Sequence, residues 1–244
     1  MSDTLTSQPL FREDPYLREA PARVIGHTAE GGIVLDRSIF YPTGGGQPGD
    51  SGVLVWDKAE MPIATTVKGE GEAIVLVPAE PLPLPDAGTH LVQHLDWERR
   101  HRHMRVHTAL HLLSVVIPLP VTGGSISASK GRLDFDMPEA PQNHDLIEEA
   151  LHLLVERDLP VSETWVTDEV LDATPELVKT MSVKPPRGTG RVRLVRIGKS
   201  GDQVDLQPCG GTHVARTGEI GAIRLGKIEK KGRQNRRVSV LLDD

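Results

Sequence analysis

The sequence predicts an α+β protein in two parts: a small N-terminal β-barrel over residues 1–94, then an α+β domain over residues 95–244 with a mostly antiparallel sheet and one long helix. Three observations carry that prediction. Short β-type runs fill the first part with almost no helix signal. A helical stretch free of glycine and proline opens the second part. No internal repeat or low-complexity tract interrupts the chain, and the second part mixes helices with strands.

The elements follow in order. The runs "ARVIGH" (22–27), "GGIVLDRSIFY" (31–41), "SGVLVW" (51–56), "ATTVKG" (64–69) and "EAIVLV" (72–77) read as strands, separated by Gly, Pro and Asp turns. The proline-rich "PAEPLPLPDAG" (78–88) is a semi-rigid connector, and "THLVQHLD" (89–96) is the last strand of the barrel. Residues 97–117 form a helix of about five turns with Met104, Ala109, Leu112, Leu113 and Val116 apolar, stopped by Pro118. "SISAS" (125–129) and "RLDFDM" (132–137) are strands. A second helix, 144–158, is capped by Asn143 and carries Leu146, Ile147, Ala150, Leu151 and Leu154 along one side. "VSETWVT" (161–167) is a strand, "DEVLDATPELVKTM" (168–181) a broken helix, and residues 190–209 a hairpin turning at "GKSG".

Composition bounds the function. One cysteine in 244 residues excludes an intrachain disulfide, and the thiol is expected to stay reduced in the cytoplasm. There is no apolar run of about 18 residues to span a membrane, and the N-terminus lacks the basic start and apolar centre of a signal peptide. A net charge of −6 argues against a protein coated in basic residues for sequence-independent binding to nucleic acid, so no DNA partner is expected and any polyanion contact is local. One local patch exists. From Lys227 to Arg237 the chain carries Lys227, Lys230, Lys231, Arg233, Arg236 and Arg237 against Glu229 alone. It reads either as a solvated edge strand or as a phosphate-contacting strand.

His107 and His111 lie four residues apart on the long helix, which puts both imidazoles on one face where a single metal ion can bridge them. His103 with His107 is a second such pair, but the arginines around His103 repel a dication, whereas His111 is bracketed by leucines. A buried pair of satisfied core histidines explains "HTALH" equally well when it is taken alone. The only cysteine changes the weighting. In "CGGTH", Gly210 and Gly211 are expected to take positive φ and fold Cys209 and His213 onto one point. Two histidines from a helix plus a cysteine and a histidine from a turn make the tetrahedral N/S set that zinc favours. The helix lacks the glutamate of "HExxH", since Thr108 follows the first histidine, so amide hydrolysis is not expected.

"HTALHLLS", "CGGTHVARTGEIG", "KIEKKGRQNRRV" and "FYPTGGGQPGDSG" together resemble the alanyl-tRNA editing proteins of the AlaX type, in the longer form that keeps the N-terminal barrel. They are also similar to the editing domain of alanyl-tRNA synthetase, and more remotely to that of threonyl-tRNA synthetase. The match runs from about Arg23 to the C-terminus. The resemblance implies that His107, His111, Cys209 and His213 hold one zinc ion per chain. It also implies an ATP-independent hydrolysis of the ester in tRNA(Ala) wrongly charged, chiefly with serine and secondarily with glycine. One departure is visible: relatives often carry an acidic residue before the three glycines, and this chain has Thr43.

An aminoacyl ester is activated, so a zinc-polarised or well-positioned water suffices, with no protein base assigned; alternatively zinc binds the substrate amine. A site that rejects alanine must hydrogen-bond the serine hydroxyl. The expected substrate-binding residues are Thr43, Gly44, Gly45, Gly46 and Gln47 of the glycine loop, which closes one wall of the pocket, together with Thr108 and Gln207. The same loop also reads as a barrel hairpin turn without a ligand. The expected tRNA contacts are Lys227, Lys231, Arg233, Arg236 and Arg237, with few aromatic platforms for base stacking. Two other functions fit: a non-catalytic RNA-binding module stapled by zinc, and a zinc hydrolase of small esters.

Overall fold

The computed structural model describes residues 5–141, 143–179 and 190–243. Cα packing divides the chain into two compact units, Met1–His101 and Arg102–Asp244, with the division inside the long helix.

In the first unit a short β1 (Gln8–Pro9) and a helical turn α1 (Leu10–Glu13) precede β2 (Glu19–His27), β3 (Ile33–Leu35), β4 (Arg37–Ser38), β5 (Gly52–Trp56), β6 (Ala59–Lys68), β7 (Ile74–Pro78) and β8 (His90–Leu95). Six of these close a barrel in the order β2-β3-β7-β6-β5-β8, every pair antiparallel. Closure removes the unpaired strand edges. Strict alternation drives it: in β8, Leu91, Gln93 and Leu95 are buried while His90, Val92 and His94 face out. Leu91 and Leu95 join Val24, Ile33, Leu35, Phe40, Leu54, Met61 and Leu76 in one apolar core. Where the sequence predicts one long strand over 31–41, the structure has two short ones. Asp36 interrupts them, its carboxylate accepting from Arg23 N and its own N–H donating to Arg23 O.

The long helix α2 (Trp97–Val116) starts in the barrel unit, where Asp96 Oδ1 accepts from Arg99 N. Arg100 is fully buried there, bonded to the Asp50 carboxylate and to the carbonyls of Pro15 and Ile39.

The second unit continues α2 into β9 (Val121–Ile126), β10 (Lys130–Asp136), α3 (His144–Glu156), β11 (Val161–Val166), α4 (Asp168–Ala173), β12 (Val192–Lys199), β13 (Asp202–Pro208), β14 (Ile223–Leu225), β15 (Glu229–Lys231) and β16 (Asn235–Leu242). Two antiparallel sheets result. One runs β14-β16-β10-β9 with β15 beside β16; the other runs β11-β12-β13. The second helix half packs close on β10: a Cβ on Gly131 would lie 2.6 Å from Val106 and 2.9 Å from Leu110. Met104, Ala109, Leu112 and Leu113 are completely buried.

Several sequence expectations are corrected. The strand expected at 125–129 lies at Val121–Ile126, through two glycines, and stops where Ser127 turns the chain back to Lys130. On α3, Ile147 and Leu151 are buried, but Leu146 is 59% exposed. The buried row is the i, i+4 pair beside Thr217–Ile220 and β14, and Leu146 shares the opposite flank with Leu153. Asn143 precedes α3 at ψ 67°, outside the extended region a capping side chain needs, and makes no capping bond. The broken helix ends at Ala173, capped at its start by Thr167, and a single 3₁₀ turn follows at Pro175–Leu177; its expected end, Thr180 and Met181, lies outside the described residues. The basic tail is no single strand. Gly232, at φ 79°, turns β15 back onto β16, pairing Lys230 with Arg236 and Glu229 with Arg237.

Candidate metal centre

One turn of α2 sets His107 and His111 side by side, ring centroids 5.3 Å apart and both 7% exposed. The chain leaving β13 supplies the other half: Cys209 Sγ lies 3.2 Å from His213 Nε2 and 3.5 Å from His107 Nε2. The coordinating atoms of His107, His111, Cys209 and His213 all lie within 4.8 Å of one another. His103 is buried but outside this group.

The turn is not made by left-handed glycines. Neither Gly210 nor Gly211 has positive φ, and a Cβ on Gly210 would meet open space. Arg193 holds the turn instead: its guanidinium donates to the carbonyls of Cys209 (2.9 Å) and Gly211 (3.0 Å), and it is ion-paired with Glu163. Both bonds come from Nη1, whose two N–H groups reach the two carbonyls, while Nε faces Glu163.

The far nitrogens of two imidazoles are tied down. Asp205, 2% exposed, accepts from His111 Nδ1 at 2.9 Å, from Gln207 Nε2 at 2.8 Å and from Lys179 Nζ at 2.6 Å. Thr108 Oγ1 donates to Met104 O and therefore accepts from His213 Nδ1 at 3.1 Å. Both bonds leave Nε2 as the lone-pair nitrogen facing the cluster. Thr108 and Gln207, expected at the substrate, are thus buried and spent on orienting His213 and on the Asp205–His111 contact.

Charge balance follows from the same contacts. Burial pushes His213 down to about 3, helped by the neighbouring His107, so it stays neutral. Burial opposes ionisation of Cys209, but the surrounding histidines hold its thiol well below the ordinary range. Burial also opposes protonation of His111, yet the bond to Asp205 and the adjacent Cys209 raise it to about 9. Asp205, despite burial, is brought down to about 2 by His111 and Lys179. A thiolate at Cys209, a neutral His213 and one displaceable proton on His111 suit a divalent zinc ion, and three nitrogens with one sulfur fit its preference. Cys209 is the least buried of the four residues, the three histidines being buried.

In the barrel unit the glycine loop is a tight turn. Gly45 and Gly46 have φ 57° and 85°, and Gly44 and Gln47 exchange backbone hydrogen bonds. Thr43 Oγ1 donates to Thr66 O and accepts from Gly49 N, while Gln47 is buried. The structure therefore gives Thr43 a clamping contact within the loop. In the basic hairpin, Arg237 is bonded to both carboxylate oxygens of Asp134 (2.7 and 2.9 Å), and Arg236 is buried against Pro138 O. Lys231 pairs with Glu229. Lys227, Lys230 and Arg233 are exposed and make no ion pair among the described residues.

Sequence reasoning missed Asp205, Lys179 and Arg193. A signal for the first was present: Asp205 and Gln207 alternate along β13 and Cys209 follows just past its end, so the spacing of two puts all three on one side.

The class to which this fold and cluster belong is given by two family models of class II synthetase domains. The family model for the threonyl and alanyl tRNA synthetase second additional domain matches residues 192–239, and that for tRNA synthetases class II (A) matches residues 17–99. The chain is 33% identical to alanyl-tRNA editing protein AlaX-M of Methanosarcina acetivorans, covering 98% of this chain and 100% of that one. It is 34% identical to AlaX-L of Pyrococcus horikoshii over 92% of this chain, and spans 55% of that relative's length. It is also 34% identical to the alanine–tRNA ligase of Pyrobaculum arsenaticum, covering 93% of this chain and 26% of the ligase. The chain belongs to the AlaX family of alanyl-tRNA editing proteins. No helix among the described residues is long and apolar enough to cross a membrane.

Proposed function

We propose that this protein is a trans-editing hydrolase of the cytoplasm that clears tRNA(Ala) mischarged chiefly with serine, glycine being the second candidate, with one zinc ion held by His107, His111, Cys209 and His213. The convergence of these four side chains, in a chain of the AlaX family, carries the reading. When bound, zinc supplies a positive centre beside the ester, polarising an oxygen of water or substrate or holding the substrate amine.

The chain's own residues do the rest. Asp205 and Thr108 fix which nitrogen of His111 and His213 faces the cluster, and Arg193 fixes the backbone of the turn. Solvent and substrate are proposed to enter beside Cys209, the least buried of the four residues. Water adds to the ester carbonyl and the bond to the ribose oxygen breaks, leaving serine and a free terminal hydroxyl on the tRNA. Because the ester is activated, positioning the water is enough, and no side-chain base is assigned. Discrimination against alanine needs a partner for the serine hydroxyl, whose loss leaves a buried polar group unpaired; Thr43 and Gln47 with Gly44, Gly45 and Gly46 are the residues proposed for it.

The free cations Lys227, Lys230 and Arg233 are proposed to meet tRNA phosphates. Arg236 and Arg237 serve the hairpin itself.

The test is deacylation of Ser-tRNA(Ala), Gly-tRNA(Ala) and Ala-tRNA(Ala) by purified protein. Release of serine well above that of alanine, lost in Cys209→Ala together with bound metal, supports the reading. RNA binding without ester hydrolysis would make the protein a zinc-stapled binding module.

A further inference from the structure

The sheet that carries the metal half-site ends in an exposed indole. Trp165 lies on the edge strand β11, 44% exposed, and no other aromatic among the described residues is exposed. In register it stands directly opposite Arg193, and the next residue across is Cys209, whose N–H donates to Arg193 O. Residues directly opposite in an antiparallel pair present their side chains on the same face. The row Trp165, Arg193, Cys209 therefore crosses the sheet perpendicular to its strands. The face is that of the metal centre, since Gln207 and Asp205 alternate with it and reach His111. Trp165's neighbour Val166 points the other way, into the core with Leu171, Val192 and Leu194.

Two strand spacings, about 10 Å, separate Trp165 from the thiolate ligand. That span matches one nucleoside laid between an ester on its ribose and its base. Arg193 between them is held by Glu163 and by the turn carbonyls, so the floor is fixed, and among the described residues the indole is its one exposed apolar side chain. The geometry points to Trp165 as a stacking platform for the 3′-terminal nucleobase of the acylated RNA. This rests on the proposed editing function and adds the residue that reads the nucleoside. Every base offers a π-face, so the platform sets affinity and position rather than sequence.

The test is a coupling cycle. Wild type and Trp165→Val, a β-compatible residue without a ring, are each measured on an acceptor-stem RNA with and without its terminal base. The readouts are Kd of the uncharged RNA and KM of its seryl ester, with zinc content and oligomeric state as controls. Deleting the base is expected to weaken wild type between about fivefold and hundredfold, the loss of one base–aromatic stack, and to change Trp165→Val by less than about twofold. Trp165→Phe is expected to recover most of the coupling. Independent, multiplicative effects of the two deletions overturn the proposal, as does a Trp165-dependent dimer with no base effect, which makes the indole a contact between copies. If the seryl ester is not cleaved by wild type, the editing function fails, while the cycle on Kd still decides the role of Trp165.

Discussion

Replacing Asp205 with asparagine isolates what the outer contacts contribute to metal binding. The carboxylate is buried and accepts three donors, from His111, Gln207 and Lys179, at 2.6 to 2.9 Å. An amide of the same size offers one acceptor oxygen and turns an N–H₂ toward at least one of those donors. One charge-assisted bond to His111 contributes about 1.5–3 kcal/mol. Loss of a carboxylate behind a ligating histidine typically weakens metal binding about 10- to 100-fold, which at about 1.4 kcal/mol per tenfold is the same range. Metal-free protein competing against a chromophoric zinc chelator reads the affinity, and thermal unfolding of the metal-free form reads the fold separately. A zinc affinity within about twofold of wild type in a folded Asp205→Asn variant would refute the reasoning, because His111 would then hold its tautomer unaided.

Other outcomes follow from the same geometry. His111 is raised to about 9, so at neutral pH the metal must displace its proton. Apparent zinc affinity is expected to rise about tenfold per pH unit from neutrality toward 9 and then level off, with about one proton released per ion in calorimetry across buffers of different ionisation enthalpy; a pH-independent affinity over that interval contradicts the assignment. Removing Lys227, Lys230 or Arg233 should each make the salt dependence of tRNA binding shallower by nearly one log-log unit. Arg237→Ala should instead act on stability, by about 1 kcal/mol after discounting the partial exposure of its pair with Asp134, so an equal loss of salt slope in all four variants would show the hairpin brace to be a phosphate contact. Thr43→Val and Gln47→Ala are expected to change the ratio of seryl to alanyl ester hydrolysis with zinc content unchanged; an unaltered ratio in both reduces the loop to architecture. Gly131→Ala places a methyl 2.6 Å from Val106 and should destabilise by about 1–3 kcal/mol in urea unfolding.

The barrel strands, the long helix and the four converging side chains were legible because each depends on periodicity or spacing that the local sequence states outright. His107 and His111 need only a helix, and β8 needs only alternation. What escaped depends on long-range geometry. Nothing near Arg193 says that its side chain will bond the carbonyls of Cys209 and Gly211 across the sheet, and the two glycines drew attention to backbone freedom that the turn does not use. Thr108 and Gln207 sit beside ligands in sequence, which favours a substrate-facing reading; their hydroxyl and amide are turned toward the imidazoles and Asp205 instead. The basic run hid a hairpin because a single glycine reverses side-chain parity, and only pairing shows that Arg237 faces Asp134.

The measurement closest to the central claim is the single-turnover release of serine from Ser-tRNA(Ala) as a function of zinc occupancy, with Ala-tRNA(Ala) alongside. Metal-stripped protein is expected to be inactive, activity to return in proportion to zinc up to about one per chain, and the alanyl ester to survive. Full seryl hydrolysis by protein shown to be metal-free, or equal hydrolysis of both esters at full occupancy, would contradict that claim.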